Sequence, residues 1–306
     1  MASKFSNCSP DLCEMTPEQL LECSLAEIQS KCGLSLARCR QLQREAAAKV
    51  LTEQFLPSSE LPPLSTLTTG CPKIDALLGG GIRNRGISEL SGASACGKTQ
   101  FCLKLCLTCQ WPKSFGGFDS GALYISTEGK FPSKRLNQMS SKIAERQDLP
   151  QEITRLAYSD NVYVRQLTEK EDLMKCLSEC TALMKSRPVR LIIIDSVAGI
   201  FRTDLEAGAG ERAKSFRAVV RQLEVLSERF DAAVLCVNQV SDVPSESGTS
   251  QLAPALGLSW ANLLRTRLWM SKIENRRLFE VVFSPEVQCG VKLEYKISDD
   301  GLNGVQ

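Results

Sequence analysis

An eight-residue glycine-rich segment constrains the fold of this chain more than any other feature. Residues 92–99 read GASACGKT, a G-x-x-x-x-G-K-T pattern, and they stand between the short strand-like stretch 87–90 and a helical pattern over residues 99–111. Glycines let such a loop curl until its backbone N–H groups face phosphate oxygens, and the start of the following helix adds a positive dipole end. Strand, glycine loop and helix in this order predict the phosphate-binding loop of a nucleotide triphosphatase.

The same segment predicts its own ligand contacts. Lys98 should reach the β- and γ-phosphates, and the hydroxyl of Thr99 should ligate Mg²⁺. The remaining candidates for phosphate binding are the loop residues Gly92, Ala93, Ser94, Ala95, Cys96 and Gly97. A chance glycine-rich turn is the alternative, and the flanking strand and helix patterns argue against it.

Length and charge limit the domain organisation and the possible partners of this chain. A chain of 306 residues can form one large domain and a small one. The formal net charge is only +2, so any contact with nucleic acid must come from local patches. No apolar run approaches a membrane span and residues 1–10 show no secretory leader, so we expect a soluble intracellular protein without a membrane partner.

Cysteine and histidine usage narrows the chemistry. The chain has 14 cysteines and no histidine, which indicates a reducing compartment and excludes His-based acid–base chemistry, His metal ligation and Ser-His triads. Cys106 and Cys109 form a C-x-x-C pair, with Cys102 one turn earlier, but no second pair exists to complete a metal site. We interpret these three residues as small buried hydrophobic side chains.

Composition and periodicity divide the chain into four segments. We predict a disordered tail over 1–15, a small helical N-terminal domain over 16–51, a Pro- and Ser-rich linker over 52–66 and an ATPase core over 67–306. The helical domain begins with Thr16 as a cap, and Gly33 separates its helical stretches. Its basic face is a weak candidate for DNA contact, and an ordinary solvated helix face is the favoured interpretation.

Strands and helices alternate through the core. Near-continuous apolar strands between amphipathic helices are typical of a parallel sheet covered on both faces. The last three predicted strands, over 264–270, 279–283 and 292–297, have little helix between them. The predicted fold class is therefore α/β, with a mostly parallel sheet and antiparallel C-terminal strands.

Three polar residues follow apolar strands of this core. Asp195 ends the strand LIIID, where a carboxylate projects into the ligand crevice and can hold Mg²⁺. Glu128 follows the strand at 122–126 and is our candidate for orienting the attacking water, because Ser196 occupies the position directly after Asp195. Gln239, with Asn238, closes a third strand and is the candidate sensor of the γ-phosphate. A helix-capping Asp, a surface Glu and a turn are the respective alternatives.

Two loops follow these strand ends, and flexible loops beside a nucleotide site are natural DNA-binding elements. The first, over 196–212, carries Arg202 and Arg212. The second, over 241–259, contains no Lys or Arg, so Arg265 and Arg267 just beyond it are the candidates there.

These motifs together resemble the RecA-fold recombinases of the eukaryotic strand-exchange family, and more closely the paralogue branch of that family. The resemblance covers nearly all of residues 16–306. It is carried by the runs LTTGCPKIDALLGGGI, GASACGKTQ, ALYISTEGKFPSKRL, LIIIDSVAGIFRTD, AAVLCVNQV, PALGLSWANLLRTRL and FSPEV…YKISDDGLNG.

The resemblance implies a RecA-like P-loop ATPase core behind a small helical domain, with ATP and Mg²⁺ at or near a subunit interface. It places Arg135 against the base or ribose and Arg202 in the first DNA loop. The phosphate, metal, water-activating and sensor positions of the family fall on Lys98, Thr99, Asp195, Glu128 and Gln239.

The resemblance also implies a role and partners. The role is a slow, DNA-dependent ATPase and mediator of homologous recombination repair of double-strand breaks. Its implied partners are single-stranded or branched DNA, the paralogue designated C as a heterodimer partner, and the recombinase filament. The implied location is the nucleus, with a cytoplasmic pool as well.

Two departures from the family pattern argue against self-polymerisation and against autonomous strand exchange, respectively. Filament-forming members use a Phe-x-x-Ala linker, and residues 55–58 here read FLPS, with Ser in place of Ala. The second loop lacks basic residues. The alternatives that remain are a self-sufficient, filament-forming strand-exchange recombinase and a non-hydrolysing scaffold in which ATP stabilises an interface.

Overall fold

A computed structural model describes residues 16–50, 59, 64–201, 208–244 and 250–305. The chain divides into two compact units, residues 1–63 and residues 64–306. The predicted tail over 1–15 and most of the predicted linker lie outside the described residues, so the domain boundaries proposed from the sequence stay predictions.

The first unit contains three short helices, one more than the sequence pattern indicated. They are α1 (Pro17–Glu22), α2 (Leu25–Cys32) and α3 (Leu36–Val50). Thr16 and Ser24 each begin a helix with a capping box, in which the cap and a Gln or Glu three residues later satisfy each other's backbone N–H groups. Gly33 ends α2 at a φ of +63°, as a left-handed helix end requires. The helices bury Leu20, Ile28, Cys39, Leu42 and Ala46.

The second unit alternates strands and helices, as predicted. Its strands are β1 (Thr66–Leu67), β2 (Ile82–Arg83), β3 (Ile87–Gly92), β4 (Gly121–Ser126), β5 (Val162–Gln166), β6 (Val189–Asp195), β7 (Ala233–Asn238), β8 (Val240–Pro244), β9 (Ser250–Pro254), β10 (Thr266–Ile273), β11 (Arg276–Phe283), β12 (Lys292–Ser298) and β13 (Gly301–Gly304). Its helices are α4 (Pro72–Leu77), α5 (Lys98–Thr108), α6 (Ser133–Ala144), α7 (Gln151–Thr154), α8 (Lys170–Ser186), α9 (Val197–Ile200), α10 (Ala209–Phe230) and α11 (Gly257–Ala261).

A nine-stranded sheet forms the centre of this unit, in the order β13-β12-β11-β10-β3-β7-β6-β4-β5. The strands from β10 to β5 pair in parallel, and β11, β12 and β13 extend the sheet in antiparallel fashion. The predicted fold class is confirmed, including the antiparallel C-terminal extension.

The central strands β3, β4, β6 and β7 are buried on both faces of the sheet, which explains why they read as near-continuous apolar runs. Successive residues of β6 point to opposite sides: Ile193 packs into the cluster that contains α5, and Ile192 into the cluster that contains α8 and α10. Cys102 and Cys106 lie on α5 and Cys109 directly follows it, and all three have no solvent exposure. Their predicted burial as small hydrophobic side chains is confirmed.

The described residues of the second predicted loop, 241–244 and 250–259, contain regular structure that the sequence did not suggest. Strands β8 and β9 pair in antiparallel fashion there, and α11 follows. The run VSDVP at 240–244 lacks the period-two alternation of apolar and polar residues that indicates a strand, and the many Ser, Pro and Gly residues around it favoured a loop. Among the described residues, no helix has both the length and the apolar character needed to cross a bilayer.

Truncating a buried side chain at the centre of the sheet should strongly destabilise the fold. Ile193→Ala should lower the free energy of unfolding by about 2–5 kcal/mol, because Ile193 has no exposed surface and its neighbours can fill the cavity only in part. Val225→Ala is the control: this α10 side chain is 51% exposed, and its truncation should change stability by about 0.5 kcal/mol or less. Urea unfolding followed by circular dichroism measures both, and equal effects would contradict the packing described.

Candidate nucleotide-binding site

Parallel strand ends assemble the site. Asp195, the last residue of β6, is paired with Ser126 at the end of β4 and with Val237 near the end of β7. β3 lies on the other side of β7 and leads directly into residues 92–99. The carboxyl ends of these strands therefore meet at one edge of the sheet, where ligands of open α/β sheets bind.

A cavity of about 660 Å³ opens at this edge, within the size range of ligand pockets. Its lining includes most of the predicted site residues. They are Gly92, Ser94, Ala95, Gly97, Lys98, Thr99, Gln100, Glu128, Arg135, Asp195, Ser196, Val237, Gln239, Val240 and Ile297. Two residues of the predicted loop, Ala93 and Cys96, are not part of the lining; the Cys96 side chain is buried beneath it.

The loop itself requires glycine at two positions. Gly97 adopts a φ of +103°, and a Cβ there would lie 2.6 Å from the terminal methyl carbon of Ile297. A Cβ on Gly92 would lie 2.2 Å from the main-chain oxygen of Met270. The backbone therefore curls into space that a side chain would fill, and α5 begins at the next residue, Lys98. Tyr295, which the sequence analysis did not single out, supports the loop from the core by donating from its hydroxyl to the Cys96 carbonyl.

Lys98 reaches back over the loop. Its ammonium donates to the carbonyl oxygens of Gly92 at 2.6 Å and Ala93 at 2.9 Å. Burial lowers the pKa of Lys98, and the nearby Cys96 and Asp195 act in the opposite direction. An anion in the cavity would favour the charged ammonium, so this side chain is poised for a phosphate.

Asp195 receives two hydroxyl groups on one oxygen. Oδ2 accepts from Thr99 Oγ1 at 2.9 Å and from the Tyr124 hydroxyl at 2.5 Å. Burial, reinforced by Cys102 and Asp195, raises the pKa of Tyr124 well above its usual range, so the phenol stays protonated and donates. Sequence reasoning missed Tyr124, although a hydroxyl-bearing ring in the apolar strand ALYIS, next to the strand that ends in Asp195, was a usable signal.

Glu128 and Gln239 both line the cavity, and their side chains are in contact. The Gln239 amide nitrogen donates to both carboxylate oxygens of Glu128, each at 2.5 Å. Gly199, on α9, leaves room for this pair, since a Cβ there would lie 3.0 Å from Cγ of Glu128. The predicted water-orienting residue and the predicted sensor are thus in direct contact.

Arg135 lies at another part of the same wall, on the first turn of α6. Its guanidinium donates to Gln100 Oε1, Gln138 Oε1 and the Ser298 carbonyl, each at 2.7 Å. Ile297, next to Ser298 on β12, contributes apolar surface to the lining. Guanidinium and apolar surface together suit a nucleotide base or ribose.

The residues present fit ATP and Mg²⁺. The glycine cradle leaves backbone space for phosphates, and Lys98 supplies a cation. Within the described ranges, no three His, Cys, Asp or Glu side chains form a metal cluster. Mg²⁺ would therefore be held by the Thr99 hydroxyl and Asp195 together with phosphate oxygens, the donor set that this ion prefers in nucleotide sites.

The structure corrects the reading of Asn238, which the sequence analysis grouped with Gln239 as a sensor. Asn238 is fully buried and donates to the buried carboxylate of Glu89 at 2.8 Å, outside the cavity. Successive residues of a strand point to opposite faces, so only one of the two amides can face the nucleotide.

Two of the basic residues proposed for DNA contact form ion pairs within the chain. Arg267 forms an ion pair with Glu89 at 2.9 Å and Arg265 donates from Nε to Glu286 at 2.7 Å, so nearby carboxylates balance both charges. This pairing argues against the predicted role of both residues in neutralising DNA phosphates. Arg212 is half-buried in the first turn of α10, and Arg202 lies outside the described residues.

Fold and site define a class: a RecA-like P-loop ATPase domain, with the glycine loop after β3, a carboxylate at the end of β6 and antiparallel strands closing the sheet. The family profile described as Rad51 matches residues 63–305. The chain belongs to the Rad51 family.

Individual relatives agree with this assignment. The DNA repair protein XRCC3 of Mus musculus is 35% identical over 263 residues, which cover 78% of this chain and 75% of the relative. The XRCC3 homolog of Arabidopsis thaliana is 32% identical over 310 residues, covering 84% and 98%. The DNA repair and recombination protein RadA of Cenarchaeum symbiosum (strain A) is 31% identical over 251 residues, covering 79% and 61%. The predicted resemblance is confirmed.

Alanine substitutions at Gly97 in the loop and at Gly210 in α10 should change stability in opposite directions. Gly97→Ala should lower the free energy of unfolding by about 1–2 kcal/mol, because a left-handed conformation is unfavourable for a residue with a Cβ. It should also weaken nucleotide binding by displacing the loop. Gly210→Ala, in the first turn of α10 with nothing within 4 Å of its Cβ position, should raise stability by up to about 1 kcal/mol. Thermal unfolding with and without ATP measures both, and a neutral Gly97→Ala would contradict the loop geometry.

Proposed function

We propose that this chain is an ATP-binding, slowly hydrolysing mediator of homologous recombination repair of DNA double-strand breaks. The observation that carries the proposal is the single cavity that brings together Lys98, Thr99, Glu128, Asp195 and Gln239. These residues come from the ends of different elements, and their convergence matches the requirements of phosphoryl transfer to water.

Each side chain has a separate task in this proposal. Lys98 and the curled backbone bind the β- and γ-phosphates, while Thr99 and Asp195 orient a divalent cation. Bound Mg²⁺ supplies charge neutralisation at the phosphates. Glu128 orients a water molecule and polarises it for attack. Gln239, in contact with Glu128, responds to the presence of the γ-phosphate.

The Glu128–Gln239 contact supports slow turnover. A carboxylate that orients water needs an oxygen free to accept its proton. Here the Gln239 amide donates to both oxygens, so an attacking water would share the acceptor positions of the carboxylate with Gln239. This competition for the carboxylate supports slow turnover.

Action within a paralogue complex is supported by the relatives and by the paired arginines. The similar proteins are DNA repair and recombination proteins by name, and the charges of Arg265 and Arg267 are balanced within the chain. We therefore propose that contact with single-stranded or branched DNA depends on a heterodimer of this chain with the C paralogue. The heterodimer in turn acts on the recombinase filament. The proposed location is the nucleus, with a cytoplasmic pool.

Removing the lysine tests nucleotide binding. Lys98→Ala should reduce ATP affinity by at least about tenfold, because the charge-assisted contacts to the phosphates are lost. Lys134→Ala, an exposed lysine on α6 outside the lining, is the matched control and should bind ATP normally. Isothermal titration calorimetry measures both variants, and unchanged affinity in Lys98→Ala would remove the phosphate-binding role of this lysine.

Replacing the carboxylate of Glu128 tests its role in ATP hydrolysis. Glu128→Gln should reduce ATP hydrolysis by about 10²–10⁴-fold while keeping ATP binding, because the amide cannot accept a proton from water. Glu152→Gln, exposed on α7, should leave turnover unchanged. Phosphate release at saturating ATP is the measurement. A Glu128→Gln variant as active as the unmodified chain would assign water activation elsewhere, and an unmodified chain without turnover would favour the scaffold alternative.

A further inference from the structure

A lysine is buried in the helix that follows the glycine loop. Lys104 lies on α5 and is 1% exposed, yet it is not part of the cavity lining. Its ammonium donates to the main-chain oxygen of Asp300 at 2.7 Å and lies 3.6 Å from Oδ2 of the same residue. Burying a charge is costly unless it is paired and hydrogen-bonded. The fold therefore depends on the contacts that this lysine makes with Asp300.

The stem of Lys104 is held as closely as its charge. A Cβ on Gly301 would lie 3.0 Å from Cδ of Lys104, and a Cβ on Gly70 would lie 3.0 Å from its Cε. Both glycines adopt positive φ values, +118° and +72°. The side chain therefore runs between two main-chain segments that approach it without side chains of their own.

Asp300 lies in the turn between β12 and β13, and its carboxylate organises that turn. Oδ1 accepts from the Ser298 hydroxyl at 2.7 Å and the Asn303 amide at 2.9 Å, and Oδ2 lies 3.5 Å from Arg146 Nη1. Burial acts against the charged form, but the Ser298 hydrogen bond and the Lys104 charge outweigh it and lower the pKa of Asp300. The carboxylate therefore remains ionised opposite Lys104.

The same turn reaches the nucleotide cavity. The carbonyl of Ser298 accepts from Arg135 Nη2 at 2.7 Å, and Ile297, one residue earlier, lines the cavity. Arg135 has a second anchor in Gln100 on α5, at 2.7 Å. One helix thus contacts this wall twice, through Gln100 directly and through Lys104 and the turn.

We propose that Lys104 is a positioning residue for nucleotide recognition: through Asp300 and the β12–β13 turn, it fixes Arg135 and Ile297 against the base and ribose. This inference rests on the proposed function, since it assigns a role within the ATP site. Lys104 is not part of the cavity lining, so it would act without touching the nucleotide. Its effect should be larger on the base and ribose than on the phosphates, because Arg135 contacts Ser298 beside the turn directly, whereas Lys98 and Thr99 are held by the loop carbonyls and by Asp195.

The test compares ATP with inorganic tripolyphosphate, which has the phosphates but no base or ribose. Both ligands are titrated calorimetrically, with Mg²⁺, against the full chain and its Lys104→Met variant. ATP affinity should fall by about tenfold, the effect of removing a supporting contact behind a ligand-binding group. Tripolyphosphate affinity should change by less than about twofold. Lys142→Met, which removes an exposed ion-paired lysine on α6, is the control and should bind both ligands normally.

A double-mutant cycle separates positioning from a general loss of packing. If Lys104 acts through Arg135, adding Lys104→Met to Arg135→Ala should weaken ATP binding by much less than about tenfold. Equal weakening of ATP and tripolyphosphate, or an undiminished effect in the Arg135→Ala background, would show that Lys104 has only a structural role and would overturn the inference.

Three further outcomes are decisive. If Lys104→Met does not fold, Asp300→Asn takes its place in the same titrations, because Asn keeps the size of the side chain and its Oδ1 acceptor; equal losses for the two ligands would again overturn the inference. An unmodified chain that binds neither ligand overturns the proposed function and this inference with it. An unmodified chain that binds ATP, with a Lys104→Met variant that binds it equally well, overturns this inference alone.

Discussion

Parallel pairing of β3, β7, β6 and β4 is the constraint on which the candidate site depends. Successive parallel strands are joined by crossovers that return the chain to the end of the sheet where the previous strand began. The carboxyl ends of all the strands in this group therefore lie together at the opposite end. The register then decides which residues meet: Asp195 stands level with Ser126 on one side and Val237 on the other. Glu128 and Gln239 come two residues after these partners, which is why they face each other across the cavity.

Hydroxyl groups give Asp195 its orientation. A carboxylate at a strand end has rotational freedom, and two donors on the same oxygen remove much of it. The Thr99 hydroxyl comes from α5 and the Tyr124 hydroxyl from the neighbouring strand, so Asp195 is held by the glycine-loop helix and by the sheet together. Asp195, held in this way, would meet a divalent cation with little reorganisation.

Local signals in the sequence were sufficient for the fold and for part of the site. The loop at 92–99, the apolar strands and Asp195 were predictable because each depends on neighbours a few residues away. Ion pairs that join distant segments were not. Arg267 gave no sign in the sequence that Glu89, 178 residues earlier, would take its charge, and Lys104 gave no sign that Asp300 would. Asn238 and Gln239 were read as one unit because strand alternation decides their roles only when the β7 end point is known.

The charges of the cavity explain how a triphosphate and a metal ion depend on each other there. Its charged lining consists of two cations, Lys98 and Arg135, and two anions, Asp195 and Glu128. These charges sum to zero, so the attraction of Lys98 and Arg135 for a polyanion is opposed by the repulsion of Asp195 and Glu128. The carboxylates repel the phosphates unless a divalent cation lies between them, whereas the loop N–H groups attract phosphate in either case. Nucleotide affinity should therefore be divided between a backbone contribution that is always present and a side-chain contribution that would strengthen with Mg²⁺, because Asp195 would then hold the metal ion instead of repelling the phosphates.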